Sequence, residues 1–472
     1  YLLSKDYHNS LKLIPIFFLV NFILNIFSKI FSMLIKRLKI KQLKNNLIKN
    51  LNNKSINLKD YKIAFFPHQG LKYGKSYSKI FYYNSDKNSK LNKKNVLNII
   101  RDDSYKPELL LFTKRFFSFW NMPNIYMKDY KLENNLSRII LFFKKLKIKK
   151  VLNLYELILF FFMSKSIIKI EKNLLFFDNL PNLKTIICDY DILFEKTILL
   201  ACDIKKIKTV AIQDRYAVNT LLSPLFFNHY FIVGEKFEPF FKDYGYIVDK
   251  YYPIGMSRSS HFINKKKLII KNEYIRLNKI EKKKVLFLGL KVDNKFITRL
   301  NGEIGTSLKN NIFFFEELIK ISKNFKDFYF ILRLKSYKNF NLLPKKILSE
   351  IHDLKNVEID YSDKLNIYEL LSICDLVVGR QSSIIEESLS DNIPSIILDE
   401  DNLFSNYKSY PLNKIIITIK NSQQLNMYFD RFYEGKSLYS PEMKNKINEY
   451  LLPNKKDLNF KSKLQNILEE IV

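Results

Sequence analysis

DLVVGRQSSIIEESLSDNIPSIILDE, residues 375–400, decides how this chain is read. An apolar run closes at Gly379, a polar Arg-Gln-Ser-Ser turn follows, then a helical pattern, and a second apolar run opens at Pro394. That is strand, tight turn, helix and strand, the unit of a parallel α/β sheet. It puts Ser382 and Ser383 at a helix N-terminus and Glu386 and Glu387 one turn further in. Free N–H groups and the positive end of the helix dipole attract phosphate there, while carboxylates a turn later accept hydrogen bonds from sugar hydroxyls. A nucleotide-sugar carries both groups.

Working outward, the same alternation fills the C-terminal half. Strands are predicted at KVLFLGL (284–290), FYFILRL (328–334), VEID (357–360), DLVVG (375–379), PSIILD (394–399) and KIIITI (414–419), with helices over Asn311–Lys323 and Asn366–Ile373. Upstream, a first series runs through KIAFFP (62–67), KVLNLY (150–155), TIICDY (185–190), KTVAIQD (208–214), HYFIVG (229–234) and YYPIG (251–255), with a helix from Leu193 to Lys205. The expected fold is α/β, with two doubly wound Rossmann-like domains facing a cleft. Residues 61–263 are expected to form a first Rossmann-like domain, 264–283 a Lys-rich linker, 284–420 a second Rossmann-like domain holding the nucleotide-sugar turn, and 421–472 C-terminal helices with breaks near Gly435, Pro441 and Pro453.

Residues 354–400, with the helix IYELLSIC, the strand DLVVG and RQSSIIEESLSDNIPSIIL after it, resemble the nucleotide-binding half of two-Rossmann (GT-B type) glycosyltransferases of surface and capsular polysaccharide synthesis. The same segment is similar to the C-terminal domains of the polymerases that transfer glycerol phosphate from CDP-glycerol. Arg380 and Gln381 stand where other members often have smaller residues. FFPHQGLKYGKSY, TVAIQDR and IVGE followed by PIGMSR resemble the N-terminal half of the same broad group. The resemblance implies transfer of a sugar from a nucleotide-sugar donor to a surface polysaccharide or lipid-linked glycan acceptor. Transfer of polyol phosphate from a CDP donor is the alternative, and a non-catalytic scaffold of a polysaccharide assembly complex is a third reading.

In such a fold the ligands lie beyond the carboxyl ends of the strands. Ser382 and Ser383 are then diphosphate donors, although serines before a helix also serve as plain N-caps. Glu386 and Glu387 face ribose or the donor sugar, with Glu387 preferred because it lies one turn beyond Ser383. Arg333 and Lys335, with Arg380 as a third cation, neutralise the charge that grows on a departing nucleoside diphosphate. His68 is the first choice of general base for the acceptor hydroxyl, since imidazole titrates nearest neutrality. Asp102, Asp103, Asp214 and Glu235 are alternative carboxylates, and Gln69, Gln213, Asp214 and Arg215 are placed at the acceptor pocket.

Two motifs are set aside. GLKYGKS (70–76) separates its glycines by three residues where a phosphate loop needs four, and Asp189-Tyr190-Asp191 sits among parallel-type strands and reads as a strand-end loop. No metal and no cofactor are expected.

Composition narrows the partners. The chain has 472 residues, enough for two domains, and 79 Lys and Arg against 47 Asp and Glu give a net charge of +32. Such an excess favours anionic partners, or reflects a composition generally rich in Lys, Asn, Ile, Phe and Tyr. No nucleic-acid-reading motif accompanies it, so nucleic acid is not an expected partner. The uncharged run LIPIFFLVNFILNIFS (13–28) is followed by eight basic residues and no acid over Lys36–Lys59. Residues 1–60 therefore read as an apolar and polybasic helical segment that associates with an anionic membrane surface, peripheral or single-pass, on the cytoplasmic face of the inner membrane. A buried helical hairpin is the alternative. Cys188, Cys202 and Cys374 stand at no metal-ligand spacing and read as core thiols of a reducing compartment.

Overall fold

The computed structural model describes residues 58–66, 89–92, 94–101, 124–127, 154–188, 194–213, 225–255, 272–289, 308–334, 343–361, 365, 367–380, 382–400, 412, 415–451 and 460–471. Among the described residues, thirteen parallel strands form two sheets. The first holds β1 (Ile63–Phe66), β2 (Val96–Arg101), β3 (Asn124–Met127), β4 (Thr185–Cys188), β5 (Lys208–Ile212), β6 (Phe226–Ile232) and β7 (Ile247–Pro253). The second holds β8 (Lys283–Gly289), β9 (Phe328–Leu334), β10 (Val357–Ile359), β11 (Leu376–Gly379), β12 (Ser395–Leu398) and β13 (Ile417–Ile419). The helices are α1 (Leu154–Asp178), α2 (Lys196–Ile204), α3 (Phe237–Asp243), α4 (Asn272–Asn278), α5 (Leu308–Asn324), α6 (Lys345–His352), α7 (Ile367–Leu371), α8 (Ser383–Ser390), α9 (Ser422–Tyr433), α10 (Pro441–Leu451) and α11 (Phe460–Ile471).

The strand orders are β3-β2-β1-β4-β5-β6-β7 and β10-β9-β8-β11-β12-β13. In each sheet the chain starts in the middle, builds to one side, then returns to build the other, which is the doubly wound order. Strands β1, β4, β11 and β12 are buried at every position, as apolar runs must be when helices cover both faces of a parallel sheet.

Helix α1 belongs to a compact unit formed by Tyr1–Asp60 and Tyr130–Pro181, whereas both sheets lie in the other, Tyr61–Asp129 with Asn182–Val472. Of the strand expected at 150–155, residues 150–153 lie outside the described residues, and Leu154 and Tyr155 open a helix of 25 residues. An apolar run of this kind is ambiguous by periodicity, and its length is what a helix needs. Strands β2 and β3, in turn, had no counterpart in the sequence reading. The Lys-rich stretch 264–283 contains α4, whose Arg276 bonds Glu273 on its own helix and Glu358 on β10 at 2.6 Å, so this segment is tied to the edge of the second sheet. The apolar and polybasic residues 1–57 lie outside the described residues. Among the described residues, no helix is long and apolar enough to cross a membrane.

The C-terminal helices return to the first sheet. Leu464, Leu468 and Ile471 of α11 join Ile63, Phe65, Val96, Ile187, Val210 and Phe231 in one buried cluster. Polar contacts fix the helix there: Lys208 Nζ donates to the Ile471 carbonyl at 3.2 Å, and Ser89 Oγ donates to the Glu469 carboxylate. Helix α10 packs on α8 of the second sheet, and its Tyr450 carbonyl touches Gly234 just after β6 of the first. Cys188, Cys202 and Cys374 are buried free thiols, and burial pushes the Cys202 and Cys374 thiols up, away from reactivity.

Candidate functional site

In the second sheet the winding reverses between β8 and β11, and the crevice beyond the carboxyl ends of such a pair is where doubly wound sheets bind ligands. Leu288 and Gly379 are register partners there. A Cβ at position 379 would lie 2.9 Å from the Leu288 carbonyl oxygen and 3.0 Å from its Cβ, so only glycine lets β11 end this close to β8. The Arg380 N–H donates to the same carbonyl at 3.4 Å, and the Arg380 side chain is 3% exposed.

Ser382 then caps α8. Its backbone is extended (φ −155°, ψ 144°), and its Oγ accepts from the Ile384 N–H at 3.4 Å. Ser383, the first residue of α8, is half-buried. Glu386 and Glu387 are 2% and 0% exposed, so this helix carries two carboxylates inside the protein from the end of its first turn. Such charges are tolerated only where other charges or hydrogen bonds meet them. Helix α8 is fixed to the sheet by a buried serine pair: the Ser388 and Ser395 hydroxyls bond at 2.5 Å, and Tyr439 Oη donates to the Ser395 carbonyl at 2.5 Å.

Arg333 is the sixth residue of β9, and its guanidinium is engaged within the protein. It donates to Asp360 at 2.7 Å and to the Leu365 carbonyl at 2.6 Å, with side chains 14% and 11% exposed for the ion pair. It ties the carboxyl ends of β9 and β10 together. Gln213, directly after β5, is 1% exposed and braces the neighbouring strand: its N–H donates to the Phe231 carbonyl and its Oε1 accepts from the Val233 N–H, at 2.8 and 2.9 Å. Glu235 is exposed after β6, on the wall of a shallow depression of about 530 Å³ shared with Lys236, Asn445, Asn448 and Glu449. Lys236 and Glu449 form an ion pair across it at 3.5 Å. The three α10 residues were not singled out from sequence, although Asn445, Asn448 and Glu449 recur at helical spacing on one face.

His68, Gln69, Asp102, Asp103, Asp214, Arg215 and Lys335 lie outside the described residues. The structure therefore gathers Arg380, Ser382, Ser383, Glu386 and Glu387 at one turn, holds Arg333 in an ion pair with Asp360, and sets Glu235 beside α10. His229 sits within β6, not at its carboxyl end; its Nδ1 bonds Tyr252 Oη at 3.1 Å, and burial, then Lys208, holds its pKa down. Among the described residues, no group of three or more His, Cys, Asp or Glu side chains is arranged to hold a metal ion.

No family model and no curated protein matches the chain. Solved structures do. UDP-GlcNAc 2-epimerase from Neisseria meningitidis, bound to UDP-GlcNAc, aligns over 87% of this chain and 100% of its own, at 12% identity and a TM-score of 0.52. A putative UDP-N-acetylglucosamine 2-epimerase from Listeria monocytogenes aligns over 87% of this chain and 96% of its own, at 10% identity and a TM-score of 0.50. The wall teichoic acid polymerase TagF is similar over 95% of this chain and 99% of its own, at 12% identity and a TM-score of 0.48. At these identities the likeness to the two epimerase structures shows the fold alone, a pair of Rossmann-like α/β layers.

Proposed function

We propose that the chain is a transferase that binds a nucleotide-sugar at the turn between β11 and α8 and passes the sugar to a surface polysaccharide or lipid-linked glycan. One observation carries the reading: at the winding reversal of the second sheet, a glycine-tight strand end leads into a capped helix N-terminus flanked by a buried arginine and two buried carboxylates. The Ser382 and Ser383 hydroxyls, the N–H groups opening α8 and the Arg380 guanidinium stabilise the diphosphate, most strongly as its bond to the sugar breaks and negative charge grows. That a protein of the same fold binds UDP-GlcNAc supports this class of donor.

In this reading the acceptor hydroxyl loses its proton to a base from the first domain, with His68 the leading choice and Asp103 the alternative, and its oxygen bonds to the anomeric carbon as the nucleoside diphosphate leaves. The polybasic stretch Lys36–Lys59 brings the protein to the cytoplasmic face of the membrane, where a lipid-linked acceptor resides. Incubating the full chain with UDP-, GDP-, dTDP- and CMP-linked sugars, with and without a membrane extract as acceptor, tests the proposal. Acceptor-dependent nucleotide release with sugar incorporated into the extract is expected. Interconversion of the sugar with no acceptor requirement would replace transfer by epimerisation, and no turnover of any donor would contradict both.

A further inference from the structure

We infer that the depression between the β6–α3 turn and α10 is the subsite for a neutral sugar of the acceptor, read by Asn445, Asn448 and Glu235. The inference rests on the function proposed above and adds a substrate class and a place for it. The depression, at about 530 Å³, lies within the roughly 300–1,000 Å³ range of small-molecule sites. It opens beside Glu235, just past the carboxyl end of β6, the edge at which a parallel sheet meets its ligands. Its other wall is α10, which also packs on α8, the helix that opens at the proposed phosphate turn.

The chemistry of the lining separates this site from the donor's. Two carboxylates, Glu235 and Glu449, face one cation, Lys236, and the remaining polar groups are the carboxamides of Asn445 and Asn448. The Lys236–Glu449 pair neutralises itself, so the lining carries one net negative charge, at Glu235, beside neutral carboxamides. Each carboxamide presents a donor and an acceptor side by side, and a carboxylate accepts from two hydroxyls at once, which matches the adjacent hydroxyls of a sugar ring. The Lys236–Glu449 pair at 3.5 Å and the backbone contact of Gly234 with Tyr450 hold the two walls in fixed relation. Asn445 and Glu235 are exposed and Asn448 is half-buried, so their side chains are accessible and replaceable without loss of core.

Saturation-transfer NMR on the full chain tests this with methyl glucoside, methyl N-acetylglucosaminide and maltotriose, each alongside the nucleotide-sugar panel. At least one neutral glycoside receives saturation, and an Asn445→Ala, Asn448→Ala double variant weakens its binding about tenfold, the loss of one or two hydrogen bonds, while nucleotide-sugar contact is unchanged. Glucose 6-phosphate, being anionic, binds more weakly than its neutral counterpart. The inference is overturned if no glycoside makes contact, if the double variant binds as well as the parent, or if the phosphorylated sugar binds better. Nucleotide-sugar contact without glycoside contact would sink the subsite and leave the proposed function standing. Variant-sensitive glycoside contact without any nucleotide-sugar contact would do the reverse.

Discussion

Gly234 and Tyr450 meet backbone to backbone: a Cβ placed on Gly234 would lie 2.2 Å from the Tyr450 carbonyl oxygen. The obstacle is main chain, which cannot swing aside, so α10 reaches the first sheet only because residue 234 has no side chain. Gly234→Ala is expected to destabilise the protein by about 1–3 kcal/mol, the usual cost of overpacking. Urea unfolding would show it as a lower midpoint, and an unchanged midpoint would mean that α10 does not seat there.

Leu468 makes the parallel case for α11. It is 0% exposed, in the cluster that includes Ile63 and Val210. Leu468→Ala should cost about 2–5 kcal/mol, and hydrogen exchange should quicken in β1 and β5 more than in β8 and β9. Equal loosening of both sheets would contradict the assignment of α11 to the first.

Arg333 was expected at the donor phosphates, yet it is held by Asp360 at 2.7 Å. Asp360→Asn separates the two roles. If the pair is a strut, the variant loses about 1.5–3 kcal/mol of stability with nucleotide-sugar affinity unchanged. A fall in affinity at constant stability would return Arg333 to the phosphate site.

Two tyrosines set an alkaline limit. Burial, then the Glu358 carboxylate, pushes Tyr329 up to about 12, and burial with Glu238 does the same to Tyr251, also to about 12. A pKa raised by folding means that the folded state holds the proton more tightly than the unfolded chain, near its ordinary value of 10. The stabilisation is complete below that value and is lost as pH rises from 10 to about 12. Tyr329→Phe should flatten this part of the stability profile, measured by denaturant titration at each pH. The Tyr251 hydroxyl is buried with no hydrogen-bond partner among the described residues, so Tyr251→Phe should be neutral or stabilising at pH 7.

Much of the second sheet was legible in the sequence because most of its strands are dominated by apolar residues over the length a covered parallel strand needs. FYFILRL, for example, was read over 328–334, and β9 occupies those residues. Strand β2 was not legible: VLNIIR carries Asn98 at its centre, fully buried, where a strand reading expects an apolar side chain. Strand β3 is only four residues long and carries little pattern. Leu154 and Tyr155, expected to close a strand, open α1 instead, because a continuous apolar run does not reveal its period. The burial of Glu386 and Glu387 was hidden as well, since adjacent acids in a helical turn look solvated until β12 and α10 are seen to close over α8. Nor can any local pattern show that Leu464 and Leu468 complete a core begun at Ile63.

The most direct test of the central claim is nucleotide-sugar contact at the turn between β11 and α8. Saturation-transfer difference NMR on the full chain, with the panel of UDP-, GDP-, dTDP- and CMP-linked sugars, should show contact by at least one of them. Replacing Ser382 and Ser383 by glycine costs only a few tenths of a kcal/mol at the cap position, so the helix persists, and contact should fall about tenfold if those side chains hold the diphosphate. Contact unaffected by the double replacement, or no contact by any member of the panel, would contradict the account.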